Sequence, residues 1–406
     1  MTKYSELTQS DLYKLFIDAC RIDDIETAKM INQHLHARDR DILFEYICKL
    51  GYIKATEWLY SEFKNFIRFN LDNIFYHVCH GGDLQKVKWV CDYFGFPENY
   101  LLTHGETLFY NLCHEGHLSI VKWLVETMEY ENINLRNIEY VFEINSQKGN
   151  IDMMLYLLNT FKHQFNDIIA TYCFAISCAH GHLEVSQLIL SNFENIDVRT
   201  LKDYSLRHSC GNGHLEMVEW LLKMFPQLNI HELKEYGFRH SCKNGHIFMA
   251  QWLLDRYPKI NPHTYEDYAF RWSCREGRLD VAKWLISKFP DINVHSQNDS
   301  AFIWSCVNGH IEVSQWLYYT FDDIDIHSND NKAFHINRYQ TNTDVMDWLS
   351  TICNITENDW LMAHAFKKCD FDLINYLVDN YLYYKLKKEN GRIVGFEVQL
   401  INIKRN

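Results

Sequence analysis

Cysteine and histidine recur together in this chain at a spacing that invites metal chemistry. Cys113 and His117, Cys178 and His182, Cys210 and His214, Cys242 and His246, and Cys306 and His310 each stand four residues apart, with a glycine just before the histidine. Thiolate and imidazole are common zinc ligands, but a zinc site needs four donors converging on one point. Each copy offers one of each, and copies a helix-packing distance apart, about 10 Å, cannot converge. The spacing therefore predicts no metal, and a histidine at a helix terminus bonded to local backbone.

Two further rows are spaced for chemistry. Trp58, Trp89, Trp123, Trp220, Trp252, Trp284, Trp316 and Trp348 share one register and could stack a flat ligand. Their place among helix-core positions predicts packing between adjacent units instead, with each indole N–H seeking an acceptor nearby. His231, His263, His295 and His327 form a second row, with Arg199 in the same position. Such a row could titrate between about pH 5 and 8 and tune binding to an acidic partner. The plainer expectation is a loop residue that fixes the turn between units. Catalytic motifs are missing from the sequence: no Gly-rich phosphate loop, no Gly-x-Ser-x-Gly and no His-Glu-x-x-His. Carboxylates such as Asp267 and Glu276 recur with the period rather than gathering in one place. The expectation is a chain with no catalytic residues, no cofactor and no small-molecule substrate.

What positions these residues is a repeat. Gly181, Gly213, Gly245, Gly277 and Gly309 stand 32 residues apart, and Gly51, Gly82, Gly116 and Gly149 extend the series upstream. Self-similarity at that period predicts a stacked array in which no unit buries its apolar face alone. In the unit 232–256, the stretch Glu232 to Lys243 suits a first helix. Asn244-Gly245 breaks it through the left-handed conformation that glycine accepts. A second helix then runs from Ile247 to Arg256, and Pro226, Pro258 and Pro290 follow second helices, where proline blocks continuation. The pattern predicts ten to twelve units in one elongated domain over residues 1–380. Residues 381–406 read as a terminal cap or tail: Asn390-Gly391 between alternating segments predicts a short β-hairpin.

Composition agrees with a folded chain, at 47% hydrophobic and 15% aromatic residues. No apolar run approaches the length of a membrane span, and Met1 to Glu6 has no signal-peptide pattern, so a cytoplasmic protein without membrane contact is expected. A net charge of −13 argues against general nucleic-acid binding. Of the thirteen cysteines, Cys20, Cys48, Cys79, Cys113, Cys178, Cys210, Cys242, Cys274 and Cys306 occupy one repeat position, where Ser146 stands once. Small reduced thiols in a close-packed column are expected, since neighbouring copies lie too far apart for a disulfide.

The unit resembles an ankyrin repeat. The likeness is strongest in Gly181 to Ile189, Gly213 to Leu222 and Gly309 to Leu317, with Ser209-Cys210, Ser241-Cys242, Ser273-Cys274 and Ser305-Cys306 in place of a pair of alanines. Tyr204 to Arg207, Tyr236 to Arg239 and Tyr268 to Arg271 replace the usual Thr-Pro-Leu-His opening. Phe225 to Asn229 and Phe289 to Asn293 replace the glycine-bearing finger, which questions its β-hairpin geometry. The Asn-, Ile-, Tyr- and Lys-rich wording is similar to ankyrin families of large DNA viruses of amoebae.

The resemblance implies an all-α helix-turn-helix solenoid that binds a partner protein on its concave face, as a monomer, in host cytoplasm for a viral member. Contact positions in that family are the loop residues, those opening the first helix and the two before the repeat glycine. Here they are Glu232, Leu233, Glu235, Lys243 and Asn244; Thr264, Tyr265, Asp267, Arg275 and Glu276; and Ser296, Gln297, Asp299, Val307 and Asn308. A second implied role is an adaptor delivering a host protein to a ubiquitin ligase, although residues 351–406 show no Leu-Pro-rich ligase-binding box.

Overall fold

The structure is a computed structural model that describes residues 7–36, 40–63, 70–95, 97–128 and 138–326, with 328–329, 332–333, 344–345, 348–349, 352, 384–389 and 392–398 beyond them. Contacts divide the chain into two compact units, 1–209 with 214–229, and 210–213 with 230–406. Helices follow one another in pairs. The first pairs are α1 (Gln9–Arg21) with α2 (Ile25–Asn32), α3 (Arg40–Leu50) with α4 (Ile53–Phe63), and α5 (Leu71–His80) with α6 (Leu84–Phe94). Next come α7 (Glu98–Glu115) with α8 (Leu118–Met128), α9 (Ile138–Lys148) with α10 (Ile151–Phe161), α11 (Asp167–Ala179) with α12 (Leu183–Asn192), and α13 (Thr200–Gly211) with α14 (Leu215–Met224). The later unit continues with α15 (Glu232–Asn244) and α16 (Ile247–Arg256), α17 (Thr264–Arg275) and α18 (Leu279–Lys288), and α19 (Ser296–Val307) and α20 (Ile311–Thr320). The chain is thus a helical repeat array, as its period predicts.

Local chemistry sets each pair. Gly245 ends α15 at φ +87°, and its N–H and that of His246 return to the carbonyls of Cys242 and Ser241. These bonds satisfy carbonyls that a helix end would otherwise leave bare. The turn is so short that α16 starts at Ile247, antiparallel neighbours being the natural outcome of such a connection.

Two sets of aromatic side chains recur in the packing of each unit. Phe16, Phe44, Phe75, Phe109, Phe142, Phe174, Phe238, Phe270 and Phe302 are fully buried on the first helices, each one turn before the repeat Cys or Ser. Residues four apart share a helix face, so phenylalanine and thiol point into the same core. Burying each such ring stabilises the fold by about 1.5–3 kcal/mol. The tryptophans pack as expected: Trp58 lies against Phe16, Trp123 against Phe75, Trp220 against Phe174 and Trp316 against Phe270, at centroid distances of 6.3–6.4 Å. In each case the indole comes from a second helix and the phenyl ring from the first helix of the preceding pair. The indole of Trp89 donates to Glu57 at 3.0 Å.

Every cysteine among the described residues is a free thiol. Burial pushes those of Cys20, Cys48 and Cys178 up to about 12, and those of Cys210, Cys242 and Cys274 higher still. The serine before the thiol ties pairs together. Ser241 Oγ lies 2.8 Å from the carbonyl oxygen of Cys210, one repeat back, and 2.6 Å from that of Gly237. Ser209 and Ser273 make the equivalent contacts with Cys178 and Cys242.

The finger geometry that the sequence questions does not form in these segments, and strands form where the C-terminal hairpin is expected. The segments after Phe225, Tyr257 and Phe289 close as hydrogen-bonded turns, from Leu228, Ile260 and Ile292 N–H to those three carbonyls, rather than as β-fingers. Without the finger glycine, the Phe-Pro wording favours a simple turn. The strands that do form are β1 (Tyr384–Glu389) and β2 (Arg392–Val398), paired antiparallel with an irregularity at Lys387/Lys388. The predicted Asn390-Gly391 turn between them lies outside the described residues.

Candidate binding cleft on the first helices

Four first helices open in an uncommon way. Leu201 to Asp203, Leu233 to Glu235, Tyr265 to Asp267 and Gln297 to Asp299 each hold three consecutive residues in the left-handed helical region, with φ between 49° and 61°. An L-residue there costs roughly 1–2 kcal/mol, so the surroundings must hold the turn. An arginine one turn into the helix does so. Arg239 donates from Nε to the carbonyl of Lys234 at 2.8 Å and from Nη2 to that of Leu233 at 2.9 Å. Arg207 and Arg271 repeat this fork on Lys202 and Leu201, and on Glu266 and Tyr265. In the fourth copy Ile303 stands in the arginine position, and the Ser328 hydroxyl donates to the Asn298 carbonyl instead.

The third residue of each turn is a carboxylate facing inward. His231 Nδ1 lies 3.0 Å from both oxygens of Glu235, while His263 and His295 approach Asp267 and Asp299 to 2.7 Å. Arg199 donates to Asp203 at 3.0 Å in the earlier copy. The other oxygen of Asp203, Asp267 and Asp299 accepts the backbone N–H of Asn229, Asn293 and Asp325 in the following loop. The histidine row therefore fixes turns between repeats. His327 lies outside the described residues.

These turns aim a ladder of rings and cations to one side. Tyr236 stacks on His240 at 3.8 Å, Tyr268 on Trp272 at 5.1 Å, and His240 meets Tyr268 at 5.7 Å. Arg239 lies over Tyr265 and Tyr268 at 4.6 and 4.7 Å. Arg275 is clamped between Trp272 and Trp304 at 4.2 and 4.4 Å. The Lys243 and Lys332 ammonium groups also lie over Trp272 and Trp304, each at 4.4 Å. The ladder walls a cleft of about 550 Å³ whose lining includes Leu233, Tyr236, Tyr268, Arg271, Trp272, Arg275, Gln297 and Trp304. Burial draws the Arg239 and Arg271 guanidiniums below their usual range, yet both keep carbonyl partners that favour the charged form.

The residues singled out from the sequence divide into three groups. Leu233, Tyr265, Arg275 and Gln297 line the cleft, and Lys243 stands at its edge. Glu232, Asn244, Thr264, Glu276 and Asn308 are at least partly exposed outside the lining, where Asn244 and Asn308 donate to the carbonyls of Gly211 and Arg275, one repeat back. Glu235, Asp267, Ser296, Asp299 and Val307 are buried, the carboxylates being engaged by the inter-repeat turns. Sequence reasoning missed Tyr236, Arg239, Tyr268, Arg271, Trp272 and Trp304. The available signal was the recurrence of Tyr and Arg at the 32-residue period on positions that a helical core pattern does not need.

The Cys-x-x-Gly-His phrase is built differently from a helix-end histidine serving its own backbone. His182 bonds through Nε2 to the carbonyl of Gln147 at 2.9 Å, and His117 to that of His80 at 3.0 Å, both one repeat back. Each ring crosses the preceding glycine, which has no side chain to block it. Among the described residues no His, Cys, Asp and Glu group is arranged to hold a metal ion, and no helix is long and apolar enough to cross a membrane. No curated protein matches the chain. Residues 238–330, which carry most of the cleft, match a family model described as ankyrin repeats in three copies, so ankyrin repeats are present in this chain.

Proposed function

We propose that the chain is a non-catalytic binding module that holds a partner protein on the first-helix face of residues 232–308. Ankyrin repeats are generally protein–protein interaction modules, and the three matched copies, residues 238–330, cover most of this face. The observation that carries the reading is the cleft itself: tyrosine, tryptophan and arginine, the residue types that dominate binding hot spots, line one cavity of about 550 Å³. Leu233, Lys243, Tyr265, Arg275 and Gln297 contribute from the positions that ankyrin repeats use for contact. The shared wording with ankyrin families of amoebal viruses supports a partner of host origin, met in host cytoplasm.

The test is affinity capture from host lysate with the wild-type chain and with Tyr268→Ala and Trp272→Ala variants. A protein retained by the wild type and lost from both variants supports the reading. Retention unchanged in both contradicts it. Ubiquitin-ligase subunits in the same eluate would mark the adaptor role.

A further inference from the structure

We propose that the cleft recognises an extended acidic peptide segment, with Arg275 as the anchor for one of its carboxylates. This rests on the protein-binding reading above and names the chemistry of the partner.

Three observations converge on Arg275. Its guanidinium carbon lies 4.2 Å from the Trp272 ring centre and 4.4 Å from that of Trp304. Contact with two rings restricts the side chain before any ligand arrives, which lowers the entropy cost of a bidentate carboxylate contact. Second, the guanidinium donates no hydrogen bond to any described residue, and its Nε is shielded from solvent without a partner. The nearest carboxylate, on Glu276, is 3.8 Å from Nε, an ion-pair distance and too long for a hydrogen bond. Arg239 and Arg271, by contrast, are engaged by the left-handed turns. Third, cations gather here against the trend of the chain. Lys243 and Lys332 flank the clamp, while Glu266 is the one carboxylate among the described residues that line the cleft, in a protein of net charge −13. The local positive cleft attracts a short acidic segment, while the net negative charge of the chain disfavours a long polyanion.

The same arrangement disfavours single-stranded nucleic acid. Base binding needs free aromatic faces, and here Lys243, Arg275 and Lys332 lie over the faces of Trp272 and Trp304. Cations therefore compete with bases for the two tryptophan rings.

The experiment is fluorescence anisotropy with a labelled peptide alternating Glu and Ser, against a Lys/Ser peptide and oligo-thymidine. The full chain is compared with its Arg275→Gln and Arg275→Lys variants, and circular dichroism confirms that each is folded. The expected result is saturable binding of the acidic peptide that weakens with salt. Arg275→Gln should weaken it at least ~10-fold, and Arg275→Lys, which keeps the charge without the planar fork, less than that. Oligo-thymidine binding tighter than the acidic peptide overturns the proposal. So does acidic-peptide binding that is absent or indifferent to Arg275→Gln. Should the peptide fail while Trp272→Ala still loses a captured lysate protein, the acidic specificity falls and the protein-binding cleft stands.

Discussion

The imidazole of His310 lies where a side chain on Gly277 would have to go: an ideal Cβ on that glycine would meet Nδ1 at 2.6 Å. The relation repeats down the array, with His182 over Gly149, His214 over Gly181 and His246 over Gly213, and Arg278 takes the part over Gly245. The glycine is therefore needed twice, for its positive φ and for the room it gives the next repeat. Gly277→Ala should cost about 2–4 kcal/mol, combining left-handed strain with overpacking. Adding His310→Ala should return about 1–2 kcal/mol of it, since the two residues are in contact. Gly95, at φ +101° with open space around it, lacks the second constraint. Its alanine variant should show a smaller loss in urea unfolding.

The left-handed openings make a prediction of the opposite sign. Lys202 is exposed at φ 59°, inside the first helix of its repeat. Glycine within a right-handed helix costs about 1 kcal/mol. Here it should leave stability unchanged or raise it by up to ~1 kcal/mol, because the left-handed penalty disappears. A loss of about 1 kcal/mol in Lys202→Gly would show that the segment is an ordinary helix start.

Acid should loosen the array through its histidines. Burial first, then repulsion from Arg207 and His180, lowers His208 to about 4. His246 and His310 are lowered too, chiefly by burial. A group whose folded pKa is depressed binds fewer protons folded than unfolded, so stability is present above the unfolded value near 6.5 and falls as pH drops toward 4. Tm measured across that window should decline, and His208→Asn should flatten the decline. A Tm that rises on acidification through the window contradicts this account.

Thiol chemistry should be silent in the native state. Burial holds the Cys178, Cys210, Cys242 and Cys274 thiols far above neutral pH, and the thiolate is the reactive form. Iodoacetamide followed by peptide mapping should leave these four unlabelled until urea is added. Labelling of Cys242 as fast as that of a free thiol would contradict its place in the core.

Much of the scaffold was legible because packing repeats its demands at one period. The glycine, the thiol and the tryptophan each answer a constraint set by the neighbouring repeat, so their types recur. The second helix of the unit, Ile247–Arg256, was legible from Gly245 before it and Pro258 after it. The left-handed turns were hidden, since Leu233-Lys234-Glu235 is an ordinary helix start by propensity. The fork of Arg239 and the pairing of Glu235 with His231 hold the other conformation. The cleft was half legible for the same reason. Residues opening the helix were nominated from position alone, which could not tell Gln297, lining the cleft, from Asp299, turned inward to His295.

The central claim is that a partner sits in this cleft, and site-specific photo-crosslinking tests it most directly. A benzophenone amino acid in place of Tyr265, which is 52% exposed at the cleft, should yield an adduct with a captured protein. The same probe in place of Phe248, 82% exposed on a second helix, should yield none. Adducts of equal yield at both positions, or at Phe248 alone, would contradict the account.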